Sequence, residues 1–266
     1  MTTAPTSDLT GWVRSTFTGG GLSHDCYEKG SGPGVVVIPE VPGITPEVLG
    51  FADHLVDQGF TVVVPSPFGQ PERAESTTYT LGVVARLCVA SEFRAFATNA
   101  ERPIARFLRA VASDLAARTT GPGVGVIGMC FTGGFALAAA VDDTVLASVL
   151  SQPSVPIPLG QTRRQDPGLS QPELDRIAER AEKDEVRMIA LRFSEDRLCP
   201  RQRFDVLRAR LGDAFEIIQL DSSPGNAAGF GKTAHSVLTR ELRETPGHPT
   251  LDARDRVVTF LRERLG

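Results

Sequence analysis

Val124-Gly125-Val126-Ile127-Gly128-Met129-Cys130-Phe131-Thr132-Gly133-Gly134, followed by Phe135-Ala136-Leu137-Ala138-Ala139-Ala140, joins a strand pattern to a helix pattern through a cysteine. Residues 124–127 form a short β-branched run of the kind found in buried parallel strands. Residues 135–140 are small and apolar, which suits a helix packed closely against a sheet. A strand that turns at once into a helix, with a nucleophilic side chain at the apex, is a nucleophile elbow. The apex backbone is strained, so the residues two before and two after it must be small. Here they are Gly128 and Thr132. Threonine is larger than the glycine usual at the second place, while Gly133 and Gly134 still let the helix come close to the strand. The apex is Cys130. A free cysteine is most often a small buried hydrophobe. One at a helix N-terminus, however, sits where the helix dipole and free N–H groups favour the thiolate. Cys130 is therefore the candidate nucleophile.

Working outward, the 266-residue chain is 41% hydrophobic and 23% charged, long enough for a sizeable core. Strand and helix patterns alternate throughout. They predict an α/β fold over residues 1–266 as one domain, with a mostly parallel central sheet and helices on both faces. A net charge of −4 and a pI near 5.7 leave no basic footprint, which excludes nucleic acid as a partner. No apolar run reaches the roughly 18 residues of a membrane span, and the N-terminus lacks a signal pattern. Residues 1–10 read as a short disordered lead. The four cysteines, Cys26, Cys88, Cys130 and Cys199, are scattered without a CxxC pair. They indicate neither a metal site nor a disulfide framework, and a reducing cytoplasm is the simplest location.

Before the elbow, residues 12–17 and 22–28 read as a β-hairpin and residues 35–38 as a buried strand ending in Pro39-Glu40-Val41-Pro42-Gly43. Thr45 caps a helix to about Gln58, with Pro46 and Glu47 in its first turn. Residues 60–64 are the next strand, which makes a β-α-β unit with a right-handed crossover. Residues 70–100 leave the alternation and read as a helical insertion near the site. Residues 101–118 form an amphipathic helix with Ile104, Phe107, Leu108, Val111 and Leu115 on one face. After the elbow come a strand at 144–150, a proline-rich loop at 151–166 and a helix at 171–183. A strand at 187–193, a helix at 202–211 and a strand at 215–220 follow. A long polar loop then delivers His235, and a closing helix spans 251–265.

In open parallel sheets the site lies at the carboxyl ends of the strands. Glu40, Cys130, Asp196 and His235 all fall there. Nucleophile, acid, histidine is the chain order of α/β-hydrolases. A thiol near its usual pKa needs a base. His235 can take that proton and return it to a leaving oxygen, and Asp196 can hold one tautomer and stabilise the imidazolium. Glu195 is the neighbouring alternative for the acid, and His248 for the base. Glu40 lies between two prolines, and if buried near Cys130 its pKa should rise by desolvation.

With these residues in place, the chain resembles the dienelactone hydrolase family of α/β-hydrolases. The resemblance rests on Val35-Val36-Val37-Ile38-Pro39-Glu40, Gly128-Met129-Cys130, Asp196 with Pro200 beyond it, and Ala234-His235-Ser236. It implies the α/β-hydrolase fold and hydrolysis of a lactone or small ester through a cysteine acyl-enzyme, with Cys130, His235 and Asp196 as triad. It also implies that Glu40 interacts with the resting thiol and helps form the thiolate, and that the backbone N–H groups of Val41 and Phe131 form the oxyanion hole. Thr132 departs from the family's glycine. Arg240 lies one position out of step with an arginine that holds a substrate carboxylate in dienelactone-cleaving members, and Arg86 or Arg94 in the insertion is the candidate second one.

The expected partner is a small-molecule ester or lactone, with no nucleic acid, no membrane, and a monomer or small homo-oligomer. No metal or organic cofactor is called for. A thioesterase or general carboxylesterase on the same triad is the alternative reading. A non-catalytic thiol-sensing or ligand-binding module, with Cys199 as a redox partner of Cys130, is the alternative from another class.

Overall fold

The continuous β-branched segments pair with one another at the centre of an eight-stranded sheet. The structure, a computed structural model, describes residues 3–266. In chain order the strands are β1 (Val13–Gly19), β2 (Leu22–Lys29), β3 (Pro33–Ile38), β4 (Thr61–Ser66), β5 (Thr120–Met129), β6 (Val145–Ser151), β7 (Arg187–Phe193) and β8 (Phe215–Leu220). Their order across the sheet is β1-β2-β4-β3-β5-β6-β7-β8. The β1–β2 and β2–β4 pairs are antiparallel and all the others parallel.

Alternation along the strands divides the core in two. Val36, Ile38 and Val126 pack on the face covered by α3 (Pro103–Arg118) and α4 (Gly133–Ala139). Val35, Val37 and Ile127 pack on the face covered by α1 (Pro46–Asp57) and α8 (Pro249–Leu265). This is the mostly parallel sheet with helices on both faces that the sequence predicts. The helix α1 starts as expected, with Thr45 Oγ1 accepting from the Val48 N–H. The remaining helices are α2 (Thr77–Val89), α5 (Gly160–Gln165), α6 (Gln171–Glu182) and α7 (Arg201–Leu211). Among the described residues, no helix is long and apolar enough to cross a membrane.

Four expectations are corrected. The part of the 1–10 lead that is described is not free: Ser7 N donates to Pro46 O at 3.0 Å, and the Ser7 hydroxyl donates to Asp53. Residues 1 and 2 lie outside the described residues. The 70–100 insertion is only partly helical. Beyond α2 it runs irregularly, with Arg94 and Asn99 at positive φ. The buried Arg102 guanidinium collects the carbonyls of Ala97, Ala100 and Gly168 there. The elbow strand is longer than residues 124–127, because Thr120 already pairs with Pro33 across a register shift. The proline-rich loop holds the short helix α5. Arg203, fully buried on α7, ties that loop down through the carbonyls of Pro153, Pro156, Arg163 and Asp166 at 2.7–3.0 Å. Burial pushes its pKa down to about 10, still far above neutrality.

Candidate active site

Cys130 sits where β5 ends and helix begins. Met129 is extended, Cys130 has φ +54, and a single 3-10 turn over Cys130–Thr132 leads into α4. A left-handed backbone at a residue with a Cβ costs on the order of 1–3 kcal/mol and persists only where the surroundings impose it. Gly128 is one such constraint: a Cβ there would lie 2.3 Å from Thr132 O. Thr132 is another. Its side chain is fully buried, and Oγ1 accepts from Met129 N at 3.0 Å. The same oxygen lies 2.9–3.1 Å from the carbonyls of Met129, Ile38 and Pro39, to one of which its single proton is donated. The threonine that looked too large in sequence thus ties the elbow to the end of β3.

His235 and Asp196 are brought together by the loops after β8 and β7, with His235 Nδ1 and Asp196 Oδ2 2.6 Å apart. Asp196 is buried, and its other oxygen accepts from the N–H groups of Leu198 at 2.9 Å and Cys199 at 3.3 Å. The exposed Glu195 takes no part. His235 Nε2 is buried and has no hydrogen-bond partner among the described residues. Burial pushes the imidazole toward neutrality. Its charge and hydrogen-bond interactions with Cys130 and Asp196 more than reverse this and hold its pKa well above the usual range. His248, the other candidate base, caps α8 through Thr250 and packs on Phe230.

Glu40 is buried at the end of β3. Its carboxylate accepts from Ser236 Oγ at 2.7 Å, from the Thr239 hydroxyl, and from Gln152 Nε2 at 3.3 Å. Burial pushes its pKa up, against the hydroxyls of Thr239 and Ser236 and the charges of His235 and Arg240. These hydrogen bonds tie Glu40 to Ser236, next to His235 in the chain, and to Thr239 and Gln152. Cys130 Sγ lies within hydrogen-bond distance of Ser154 Oγ, at 3.6 Å. Neither Ser154 nor Gln152 is signalled in the sequence beyond their position just after a central strand. Thr239 stands four residues beyond His235.

Val41 and Phe131, whose N–H groups the resemblance assigns to an oxyanion, lie on the loop after β3 and directly after Cys130. The Phe131 ring joins Phe68, Phe93 and Phe135 in edge and stacked contacts. A cavity of about 210 Å³ opens between this group and α2, lined by Pro67, Phe68, Val83, Leu87, Ala90 and Phe93 among others. Of the arginines considered, Arg240 pairs with Glu75 at 2.9 Å and Arg94 bonds to Glu101 O at 3.1 Å. Arg86 is exposed on the rim of the cavity.

Solved structures share the fold. A dienelactone hydrolase-like promiscuous phosphotriesterase from metagenomic libraries aligns with a TM-score of 0.63 at 17% identity, over 96% of this chain and 98% of its own. The 2,6-dihydroxy-pseudo-oxynicotine hydrolase aligns at 0.59 and 14% identity, over 96% of this chain and 70% of its own. Puromycin hydrolase aligns at 0.59 and 17% identity, over 96% of this chain and 41% of its own. At these identities the likeness shows the α/β-hydrolase fold alone. No curated protein sequence gives a significant match. The model of the dienelactone hydrolase family matches residues 26–244, most of the sequence. By that match the chain belongs to the dienelactone hydrolase family.

Proposed function

We propose that this protein hydrolyses a small carboxylic ester or lactone through a thioester on Cys130. The observation that carries this reading is the pairing of a strained elbow cysteine with a histidine. Its Nδ1 is held by Asp196 at 2.6 Å, and Cys130 is among the groups that raise its pKa. His235 takes the thiol proton, and the Cys130 thiolate attacks the carbonyl carbon. The carbonyl π-pair moves onto oxygen, where the N–H groups of Val41 and Phe131 stabilise the charge. Collapse breaks the ester C–O bond, and the leaving oxygen takes the proton from His235. A water deprotonated by His235 then attacks the thioester. Its collapse releases the carboxylic acid and the Cys130 thiolate, with His235 left protonated for the next cycle. Asp196 keeps Nδ1 protonated throughout, and Glu40 holds the His235 loop in register. Every group in this cycle comes from the chain, the substrate and one water, within a reducing cytoplasm that keeps the thiol free.

Substrate charge is the second point. Arg240 is engaged by Glu75, and the cavity beside Phe68 and Phe93 is lined mainly by apolar side chains, with Arg86 and Glu92 at its edge. These features support a neutral ester with a small apolar group over an anionic lactone. The sensing alternative has less support: Cys199 is fully buried and burial pushes its thiol well up, which disfavours the thiolate that exchange needs.

The test is mass spectrometry of protein quenched in acid during turnover of a p-nitrophenyl ester and, separately, of a dienelactone. An acyl adduct on Cys130 is expected, forming faster with the neutral ester. Product release without any adduct on Cys130 would remove the covalent mechanism.

A further inference from the structure

The segment between β6 and α5 is held more firmly than a connection requires. Gln152 is fully buried with φ +37. Its N–H donates to Leu191 O at 2.8 Å, its Oε1 accepts from Val237 N at 3.3 Å, and its Nε2 donates to Glu40. Arg203 grips the next residues through Pro153 O and Pro156 O, both at 2.7 Å. The close approach to the elbow is permitted by Gly133, where a Cβ would lie 2.7 Å from Pro153 Cα. What these contacts deliver is Ser154. It is buried, its N–H donates to Cys130 O at 3.0 Å, and its Oγ stands 3.6 Å from Cys130 Sγ. That hydroxyl has no other hydrogen-bond partner among the described residues.

We propose that Ser154 is a further catalytic residue, whose hydroxyl donates a hydrogen bond to the Cys130 thiolate. The inference rests on Cys130 as nucleophile. A hydroxyl rotates, so Ser154 accepts from the neutral thiol and donates to the thiolate, and the second bond is the stronger because its acceptor is charged. The thioester sulfur carries no full charge, so the bond weakens when the acyl group is attached and strengthens as the thiolate leaves. Ser154 therefore raises the fraction of thiolate available for attack and eases departure of sulfur in deacylation. The price is a small loss of intrinsic nucleophilicity.

The experiment is the pH dependence of Cys130 alkylation by iodoacetamide, located by peptide mass spectrometry. It compares the wild type with Ser154→Ala, Ser154→Thr and Ser154→Val. Loss of a hydrogen bond to a charged group is expected to raise the midpoint by about one pH unit in the Ala and Val variants, a roughly tenfold slower alkylation at pH values below both midpoints. Thr keeps the hydroxyl and is expected to restore the wild-type midpoint. If the Ala variant does not fold, the Thr and Val pair, close in volume, carries the comparison. Profiles for Ala and Val that overlay the wild type would overturn the proposal. The alkylation profile needs no substrate. An absent acyl adduct in the wild type would therefore defeat the hydrolase reading separately, and the midpoints would still decide Ser154.

Discussion

Replacing Thr132 by valine keeps the side-chain shape and deletes only the hydroxyl. In the structure that hydroxyl accepts from Met129 N and donates to one of three carbonyls, in a place with no exposed surface. Water cannot replace it, so the Met129 N–H loses a partner. A buried donor left unsatisfied costs roughly 1–3 kcal/mol. Taking about 2 kcal/mol, at roughly 2–4 °C of melting temperature per kcal/mol for a chain of this size, unfolding should move down by about 4–8 °C. The elbow is also freed from β3, and with it the imposed backbone of Cys130. The pre-steady-state burst of p-nitrophenol should slow by roughly tenfold, since small misplacements of a reacting atom are costly. Thr132→Ser keeps the hydroxyl and is expected to retain the burst rate while losing about 1 kcal/mol for its missing methyl. Calorimetry and stopped-flow absorbance on the three proteins decide the matter. A valine variant as stable and as fast as the wild type would show that the hydroxyl bonds contribute nothing and that shape alone holds the elbow.

Cys130→Ala removes interactions that raise the His235 pKa and leaves the burial that lowers it, so the imidazole titration followed by NMR should move to lower pH. Asp196→Asn leaves Nδ1 facing an amide and the wrong tautomer favoured. Turnover should fall by roughly 10³–10⁴-fold with KM little changed, as steady-state kinetics would read. Glu40 has a pKa raised above its usual 4.5, so the native state binds that proton more tightly than the unfolded chain does. Its contribution to stability is therefore greatest in acid and declines as pH rises from near 4.5 through the raised value. Glu40→Gln cannot lose that proton, so the stability of the variant relative to wild type should grow with pH in urea titrations. A constant or shrinking difference would contradict the burial reading.

The elbow was legible because its constraints are local. Gly128, Cys130 and the small residues after it lie within one turn, and a strand running straight into a helix admits few backbones. Asp196 and His235 were legible by a coarser rule, that loops after parallel strands meet at one edge of the sheet. Ser154 and Gln152 were not. Their placement depends on a positive φ at a glutamine and on Arg203, 50 positions from Pro153, gripping backbone carbonyls that carry no side-chain signature. The surroundings of Glu40 were half legible. Its burial could be argued from the flanking prolines, but Ser236 and Thr239 as its partners follow from the path of the final loop. The irregular end of the insertion was hidden for a similar reason, since Arg94 and Asn99 are compatible with helix until positive φ is imposed on them. The polar N-terminal segment has no apolar period to betray its docking on α1.

The brace around Glu40 also has a meaning for the order in which the molecule becomes competent. Glu40 is joined to Ser236 and Thr239 across 196 and 199 positions of chain, whereas the elbow closes over three. Contacts that span most of the chain are the slow ones to form. During folding the Cys130 elbow can be shaped before His235 has anywhere to dock. A chain halted at that stage would carry a thiol that alkylates but does not turn over. On the proposed mechanism, hydrolysis would then report that the last loop had met the first parallel strand, a stricter criterion of completion than the return of helix or sheet.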